Sequence, residues 1–513
     1  MPKLPPFALA NMEPPPFRSR HAYLVLFYFL FAIPLLFVHV PLLNLPYFWD
    51  EHGQFIPTAL DLLRRGWWVA RSTIPNVHPP GVAVYLVLWY KLFGYSIPVT
   101  RVAMLLLAAG GLLATFLLAI QLSKGTRGAP AFWAPLLLLA SPLFYTQSFM
   151  AQLDMPAMVF TVATLWLFLK GKCREAAAAS VVLVLLKETG LVTPFVLFLV
   201  LCVRKDFRNA AYFGAPVIAL SIWLVVLHHK TGCWLGDPGF AHYNVTYSLH
   251  PVRIVLTFLR RLYYLFVAEF RWIGTLILLW GLRELKVFRT ADWLITTAVF
   301  AANVVLVSVL GGAELERYLL PVLPILYAAI GVALTALPRR FAIGAAAMLA
   351  AGLSASLFWN PPYPFAFENN YAMVDFVRLQ QLGADFVERN LKLSTVATAW
   401  PYTAALASPD YGFVSHKLKV LETNDFHVSS IEALPAGSFD VLVVYTRTWT
   451  PENGVISFPM IRRFLTRFYE WQPAISQQQC EALGLYENIS WTLHGQTISI
   501  YSRHKPSLLT SSR

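Results

Sequence analysis

Charge is what this chain has least of. Asp, Glu, Lys and Arg make up 13% of its 513 residues, while 57% are hydrophobic. Soluble domains carry about 25% charged residues, so the balance excludes a soluble globular protein and points to several membrane spans. Acids are the scarcer sign, 27 against 40 Lys and Arg, for a net charge of +13. The basic residues fall in short clusters between apolar runs, as cytoplasmic loops require, which argues for a membrane and no nucleic acid. Cysteine is almost missing. Cys173, Cys202, Cys233 and Cys480 show no CxxC spacing, so no zinc site or disulfide framework follows, and a lone Cys233 to Cys480 bridge stays open. Low-complexity tracts and internal repeats are absent as well.

What the chain has in quantity is apolar runs. About eleven are long enough to cross a bilayer, or nearly so, near 22-43, 99-121, 129-149, 154-169, 175-187, 189-203, 210-228, 264-282, 290-310, 318-337 and 340-358. The first lacks a small-residue cleavage site and reads as a retained anchor. With Arg18 and Arg20 cytoplasmic, the later inside loops hold Lys124 and Arg127, Lys170 to Arg174, Arg204 to Arg208, Arg283 to Arg289, and Arg339 with Arg340. Every one of those loops is basic, as the positive-inside rule demands. The predicted protein is an α-helical polytopic membrane protein with a small C-terminal α/β extracytoplasmic domain. Its parts are a cytoplasmic segment 1-21, a membrane domain 22-359 with an outer loop 44-98, and the outer domain 360-513.

Within the outer loop, 55-65 and 79-93 have the patterning of interfacial helices. The outer domain opens at Asn360-Pro361-Pro362-Tyr363-Pro364. A helical run 371-390 precedes strand-like segments 394-399, 417-422 and 439-446, an amphipathic run 457-470 and an alternating segment 491-502.

The same topology gathers the polar oddities on the outer face. Asp50 and Glu51 follow the first span among aromatics, where a carboxylate at the edge of a low-dielectric cavity can take a proton from a hydroxyl. A solvated pair ending a span is the plain alternative. Asp154 is a second outer acid, or else an N-cap before Pro156. His78 in His78-Pro79-Pro80-Gly81 is a rigid turn or a ligand for a phosphate or an acid. Lys187 and Arg317, the latter beside Tyr318, are outer cations suited to a lipid-linked phosphate. Snorkelling of Lys187 and an ion pair of Arg317 with Glu314 or Glu316 are the structural alternatives. A divalent cation held by Asp50, Glu51 and Asp154 is open as a cofactor, with no recognisable metal motif.

In order along the chain, these motifs resemble a known superfamily. Asp50-Glu51 followed by His78-Pro79-Pro80-Gly81 is similar to the Asp-Glu and His-Pro-Pro-Leu-Gly signature of protein O-mannosyltransferases. Leu153-Asp154-Met155-Pro156, Leu185-Leu186-Lys187-Glu188-Thr189-Gly190 and Glu316-Arg317-Tyr318-Leu319-Leu320-Pro321 are more similar to the bacterial lipid A aminoarabinose transferases. Both belong to the GT-C superfamily of polyprenyl-phosphate-sugar-dependent glycosyltransferases. The resemblance covers about 22-358; Gly81-Val82 departs from the mannosyltransferase form, and the outer domain shows no beta-trefoil repeat.

The resemblance implies a GT-C-like fold and an inverting hexosyl- or pentosyltransferase, with Asp50 as base, Glu51 beside it and Asp154 as second acid. His78, Lys187, Arg317 and Tyr318 would bind substrate. The implied partners are a polyprenyl-phosphate-linked sugar donor and a lipid, protein or polysaccharide acceptor. The implied location is a bacterial inner membrane, with the N-terminus cytoplasmic and the C-terminal domain periplasmic or extracellular. A proton- or ion-coupled transporter is the competing reading, and it predicts inverted repeats and charges near the midplane.

Overall fold

The computed structural model describes residues 17–126, 130–359, 368–448 and 454–503. Most of the segment 1-21, Arg127 and the expected domain opening Asn360 to Pro364 lie outside the described residues. The eleven apolar runs fold largely as helix over their described residues, with breaks at Ser141 within 129-149 and at residues 267–270 within 264-282. Five helical segments are long and apolar enough to cross a membrane alone, and a bent pair, Pro251–Phe266 with Arg271–Glu284, adds a sixth if counted as one span. Asp154–Leu169 and Glu188–Val203 are shorter apolar helices packed among them.

Burial separates centre from rim. The segment Glu316–Ala336 is 89% buried over its apolar window, whereas Ala22–Leu42 is 22% buried and turns Phe29, Ile33 and Phe37 outward, as lipid contact requires. Local chemistry explains several boundaries. Ser96 caps Ile97–Leu122 by accepting from the Val99 amide at 3.3 Å, and Pro98 fills the first turn, where its missing N–H costs nothing. The expected hairpin in 175-203 is a break at Lys187, whose backbone is extended (φ −154°, ψ 123°) between Cys173–Leu186 and the turn Glu188–Leu191. That break aims the Lys187 side chain out of the helical register.

The loop 44-98 and the C-terminal domain keep the names outer loop and outer domain for their expected side only, and close approaches hold the loop down. A Cβ on Gly81 would lie 2.3 Å from the Leu185 carbonyl oxygen, so the His-Pro-Pro-Gly turn sits directly on the end of Cys173–Leu186. The helix Ile56–Arg65 buries Ile56, Ala59 and Leu60, and Arg64 forms a bidentate pair with Asp410 of the outer domain at 2.6 and 2.9 Å. Its apolar side therefore meets protein, not the headgroup layer expected from its pattern.

The outer domain is a five-stranded sheet in the order β2-β1-β3-β5-β4, with β1 Thr395–Ala399, β2 Lys419–Thr423, β3 Val441–Tyr445, β4 Tyr486–Leu493 and β5 Gln496–Ser502. The first three strands run parallel, and β5 pairs antiparallel with both β3 and β4. Strand alternation splits the core: Val396, Val441, Val443 and Ile500 join the main core, while Ala397, Leu442 and Tyr501 meet Cys480 on the other face. The expected single segment 491-502 is instead a hairpin, since His494 (φ 48°) and Gly495 (φ 81°) make a tight turn inside it. All four cysteines are free, which corrects the Cys233 to Cys480 option.

Aromatic rings weld the two regions. Trp49 lies 6.0 Å from Phe376, 6.1 Å from Tyr445 and 6.3 Å from Trp400, centroid to centroid. A Cβ on Gly53 would lie 2.6 Å from the Trp400 ring and 2.9 Å from Pro401. Overpacking such a junction costs about 1–3 kcal/mol. Gly53→Ala is therefore expected to lower the thermal unfolding midpoint of the detergent-purified protein, with Gly437→Ala, at a glycine with open surroundings, as the comparison for a purely local backbone penalty.

Candidate active site

Adjacent carboxylates part company at the start of the outer loop. Trp49 takes a left-handed backbone (φ 38°), and a wide helical turn over Glu51–Phe55 follows. Asp50 lines a cavity of about 770 Å³, whereas Glu51 does not. Glu51 is fully buried: its Oε1 accepts from Arg101 Nη1 at 2.5 Å and from the Ala151 amide at 2.6 Å, and its Oε2 accepts from the Phe48 amide at 2.9 Å. Arg101, also fully buried, donates from Nη2 to the Leu45 and Pro46 carbonyls at 3.1 Å. Glu51, expected to work beside Asp50, faces away from the cavity that Asp50 lines. With every Glu51 contact made to protein, its carboxylate fastens the Asp50 loop to the loop before Asp154.

Arg317 is the centre of the cavity floor. Its Nη2 pairs with Asp50 Oδ2, its Nε lies 3.1 Å from Asp154 Oδ2, and its Nη1 donates to both Glu368 oxygens at 2.8 and 2.9 Å. Gln152 Oε1 accepts from the same Nη1 at 2.7 Å. The alternative pairing with Glu314 or Glu316 belongs to Arg260, which lies 2.5 Å from Glu316 and 3.8 Å from Glu314. Asp154 is the first residue of its helix but makes no cap; Lys187 Nζ donates to its Oδ1 at 2.5 Å. Lys187 also stands 4.6 Å above the Tyr318 ring. The structure thus brings Asp50, Asp154, Lys187, Arg317 and Tyr318 together.

His78 lies on the cavity wall, with Nδ1 2.9 Å from Glu188 Oε2. Its partner is an acid of the chain itself. Trp400 lines the cavity too, whereas the Tyr402 hydroxyl is buried and donates to the Gln380 carbonyl, so the outer domain offers one ring of that pair to the mouth.

Two cavity residues carry no sequence signal. Glu368 stands apart from every motif, and it reaches Arg317 because Thr146 and Gln147 donate to its backbone carbonyl at 2.5 and 3.3 Å. Burial first, then the charges of Asp50 and Asp154, outweigh the pull of Arg317 and leave the Glu368 carboxyl pushed up to about 8. Arg447, just after β3, lines the mouth 5.6 Å from the Trp49 ring and donates to the Asn424 carbonyl at 3.3 Å. Among the described residues it has no carboxylate partner, unlike Lys187 and Arg317.

Among the described residues no group of three His, Cys, Asp or Glu side chains converges as a cation site. The donor set expected for a divalent cation does not fit: Glu51 faces away, and the Arg317 guanidinium occupies the space between Asp50 and Asp154.

No protein-family model matches the chain, and no curated protein matches it. Solved structures do. ArnT from Cupriavidus metallidurans bound to undecaprenyl phosphate aligns with a TM-score of 0.54 at 16% identity, over 93% of this chain and 98% of that one. The same protein in the apo state gives 0.55 at 16% identity, over 94% and 98%. The chain has the GT-C fold. The archaeal oligosaccharyltransferase AglB from Archaeoglobus fulgidus, in complex with an inhibitory peptide and a dolichol-phosphate, aligns at 0.50 with 11% identity, over 83% of this chain and 69% of that one. Within the GT-C fold seen here, the first outer loop and the outer domain close over one cavity, and the charged floor lies beneath them.

Removing one partner of a buried ion pair leaves the other uncompensated, at about 3–5 kcal/mol. Glu51→Ala should lower thermal stability by that order in purified protein. A variant with unchanged stability and lost activity would assign Glu51 a chemical role instead.

Proposed function

We propose that this protein moves a sugar from a polyprenyl-phosphate donor to an acceptor hydroxyl at the outer face of the membrane, with inversion at the anomeric carbon. The observation that carries the reading is the cavity floor, where Asp50 faces open space beside two cations, Arg317 and Lys187, already mounted on Asp154. The fold shared with a protein solved with undecaprenyl phosphate supports it. So does a wall rich in aromatic and aliphatic groups, suited to a half-lipid ligand.

In the proposed reaction the donor phosphate approaches Arg317 and Lys187 and competes with Asp50 for the guanidinium. That exchange frees a carboxylate oxygen to take the proton from the acceptor hydroxyl. The acceptor oxygen bonds to the anomeric carbon as the bond from that carbon to the phosphate oxygen breaks. The electron pair leaves with the polyprenyl phosphate, whose growing charge the two cations meet. Asp154 holds both cations in place, and Tyr318 covers Lys187 from one side. His78 orients the Glu188 edge of the cavity, and Arg447 supports a substrate that carries negative charge near the mouth. A transporter would instead need its acids spread across the membrane. Here they converge at one end of the helices, which favours transfer.

A general base contributes about 10²–10⁴ in rate. Asp50→Asn, folded and reconstituted, should lose transfer by that factor, with the lipid-linked donor accumulating in mass spectra of cells that carry only the variant. Normal product levels would remove Asp50 from the chemistry and the proposal with it.

Glu368 adds a pH signature. With its carboxyl at about 8, it is mostly neutral at pH 7 and ionises above that, adding a second strong claim on Arg317. Transfer should fall as pH rises through about 8. Glu368→Gln should keep activity at pH 7 and lose that falling limb in kcat/KM against pH.

A further inference from the structure

We propose that the helix Pro459–Tyr469 of the outer domain lies on the membrane surface and binds anionic phospholipid headgroups, tethering that domain beside the cavity. Its sequence, Pro-Met-Ile-Arg-Arg-Phe-Leu-Thr-Arg-Phe-Tyr, puts Met460, Ile461, Phe464, Leu465 and Phe468 on one side and Arg462, Arg463 and Arg467 on the other. A helix of this pattern in a soluble domain normally buries its apolar side. This one buries no residue fully: Ile461, Phe464, Leu465 and Phe468 are half-buried, while Met460 is 80% exposed and the preceding Phe458 61%.

The neighbour of this helix tells what covers it. Phe468 is bound through its carbonyl by Arg253 Nε at 2.5 Å, and its ring lies 5.5 Å from His250. Both partners stand at the start of Pro251–Phe266. That helix is polar inward and apolar outward: Arg253, Thr257 and Arg261 are buried, while Val255, Leu259 and Tyr263 are more than half exposed. An outward apolar stripe with a buried basic one is the pattern of a membrane protein turned toward lipid. Its axis makes an angle of 84° with the next helix, Arg271–Glu284. Pro251–Phe266 thus turns sharply away from Arg271–Glu284 and faces its exposed apolar stripe to lipid. The outer-domain helix docked to its start is held beside that lipid-facing stripe.

Charge selects the headgroup. Arg462 donates to the Ile456 carbonyl at 3.3 Å and Arg467 lies over Phe468, and among the described residues none of the three arginines pairs with a carboxylate. A basic amphipathic helix with exposed apolar side chains at one end, here Phe458 and Met460, binds anionic bilayers by shallow insertion plus electrostatic attraction. The inference stands apart from the transfer chemistry, and its test reads position, not activity.

The test uses the full chain with its four cysteines replaced by serine, reconstituted in nanodiscs rich in phosphatidylglycerol. A spin label at Met460→Cys is compared with one at Lys392→Cys, an exposed position of the same domain. Collision with oxygen should exceed collision with a water-soluble nickel chelate severalfold at position 460 and not at 392. Changing Arg462, Arg463 and Arg467 to Gln, or using phosphatidylcholine alone, should move the label toward the aqueous value. Equal nickel access at both positions would overturn the proposal. Shielding of position 460 from both reagents would also overturn it, since a second copy or a protein partner would then cover the helix.

Discussion

One buried guanidinium organises the outer end of this molecule. Arg317 sits almost without solvent contact at the head of the most buried membrane segment, and a lone cation there would cost several kcal/mol to desolvate. Three acids meet it from three separate stretches of chain: the carboxylates of Asp50, from the first outer loop, and Asp154, from the start of an interior helix, offset its charge, and the Glu368 carboxyl, from the approach to the outer domain, accepts its hydrogen bonds. The acids need the arginine as much as it needs them, because carboxylates in one low-dielectric pocket repel each other; burial and that repulsion hold Glu368 protonated beside the other two. The charge balance therefore holds three remote parts of the fold in register.

A second pair keeps that arrangement rigid from behind. Arg101 and Glu51 are both without solvent exposure, and together they join Leu45, Pro46 and Phe48 to Phe149 and Ala151. These are the segments that carry Asp50 and Asp154. Asp50 is thus mounted on a scaffold whose own acid is spent on structure. Above it, Trp49, Trp400 and Arg447 bring the outer domain to the cavity mouth, and Gly53 allows the ring of Trp400 to approach the backbone.

Much of the architecture was legible beforehand. Apolar runs must be helical in a bilayer because backbone groups have no water to bond, so each run could be read directly from hydropathy. The clustering of Asp154, Lys187, Arg317 and Tyr318 also followed, since charges at span ends on one face have few places to go. Glu368 was not legible. It follows a proline-rich stretch with no periodicity, and its importance comes wholly from a contact 51 residues back in the chain. Arg447 was hidden for the same reason, as one basic residue after a strand. The hairpin at His494-Gly495 was missed because alternation continues across a two-residue turn.

By itself, the amino-acid sequence determined what solvent and valence dictate: a helical membrane body, a small α/β domain after it, and a set of ionisable residues too costly to place near lipid without purpose. Only the tertiary structure decided which way each of those residues points. Asp50 and Glu51 are neighbours in the chain and opposites in the fold, one on the cavity and one in the core. The amphipathic pattern of Ile56–Arg65 and that of Pro459–Tyr469 look alike on paper, yet the first buries its apolar side against protein and the second leaves Met460 exposed and the rest of that side half-buried. A pattern records that a face must be covered. What covers it depends on distances that only packing sets.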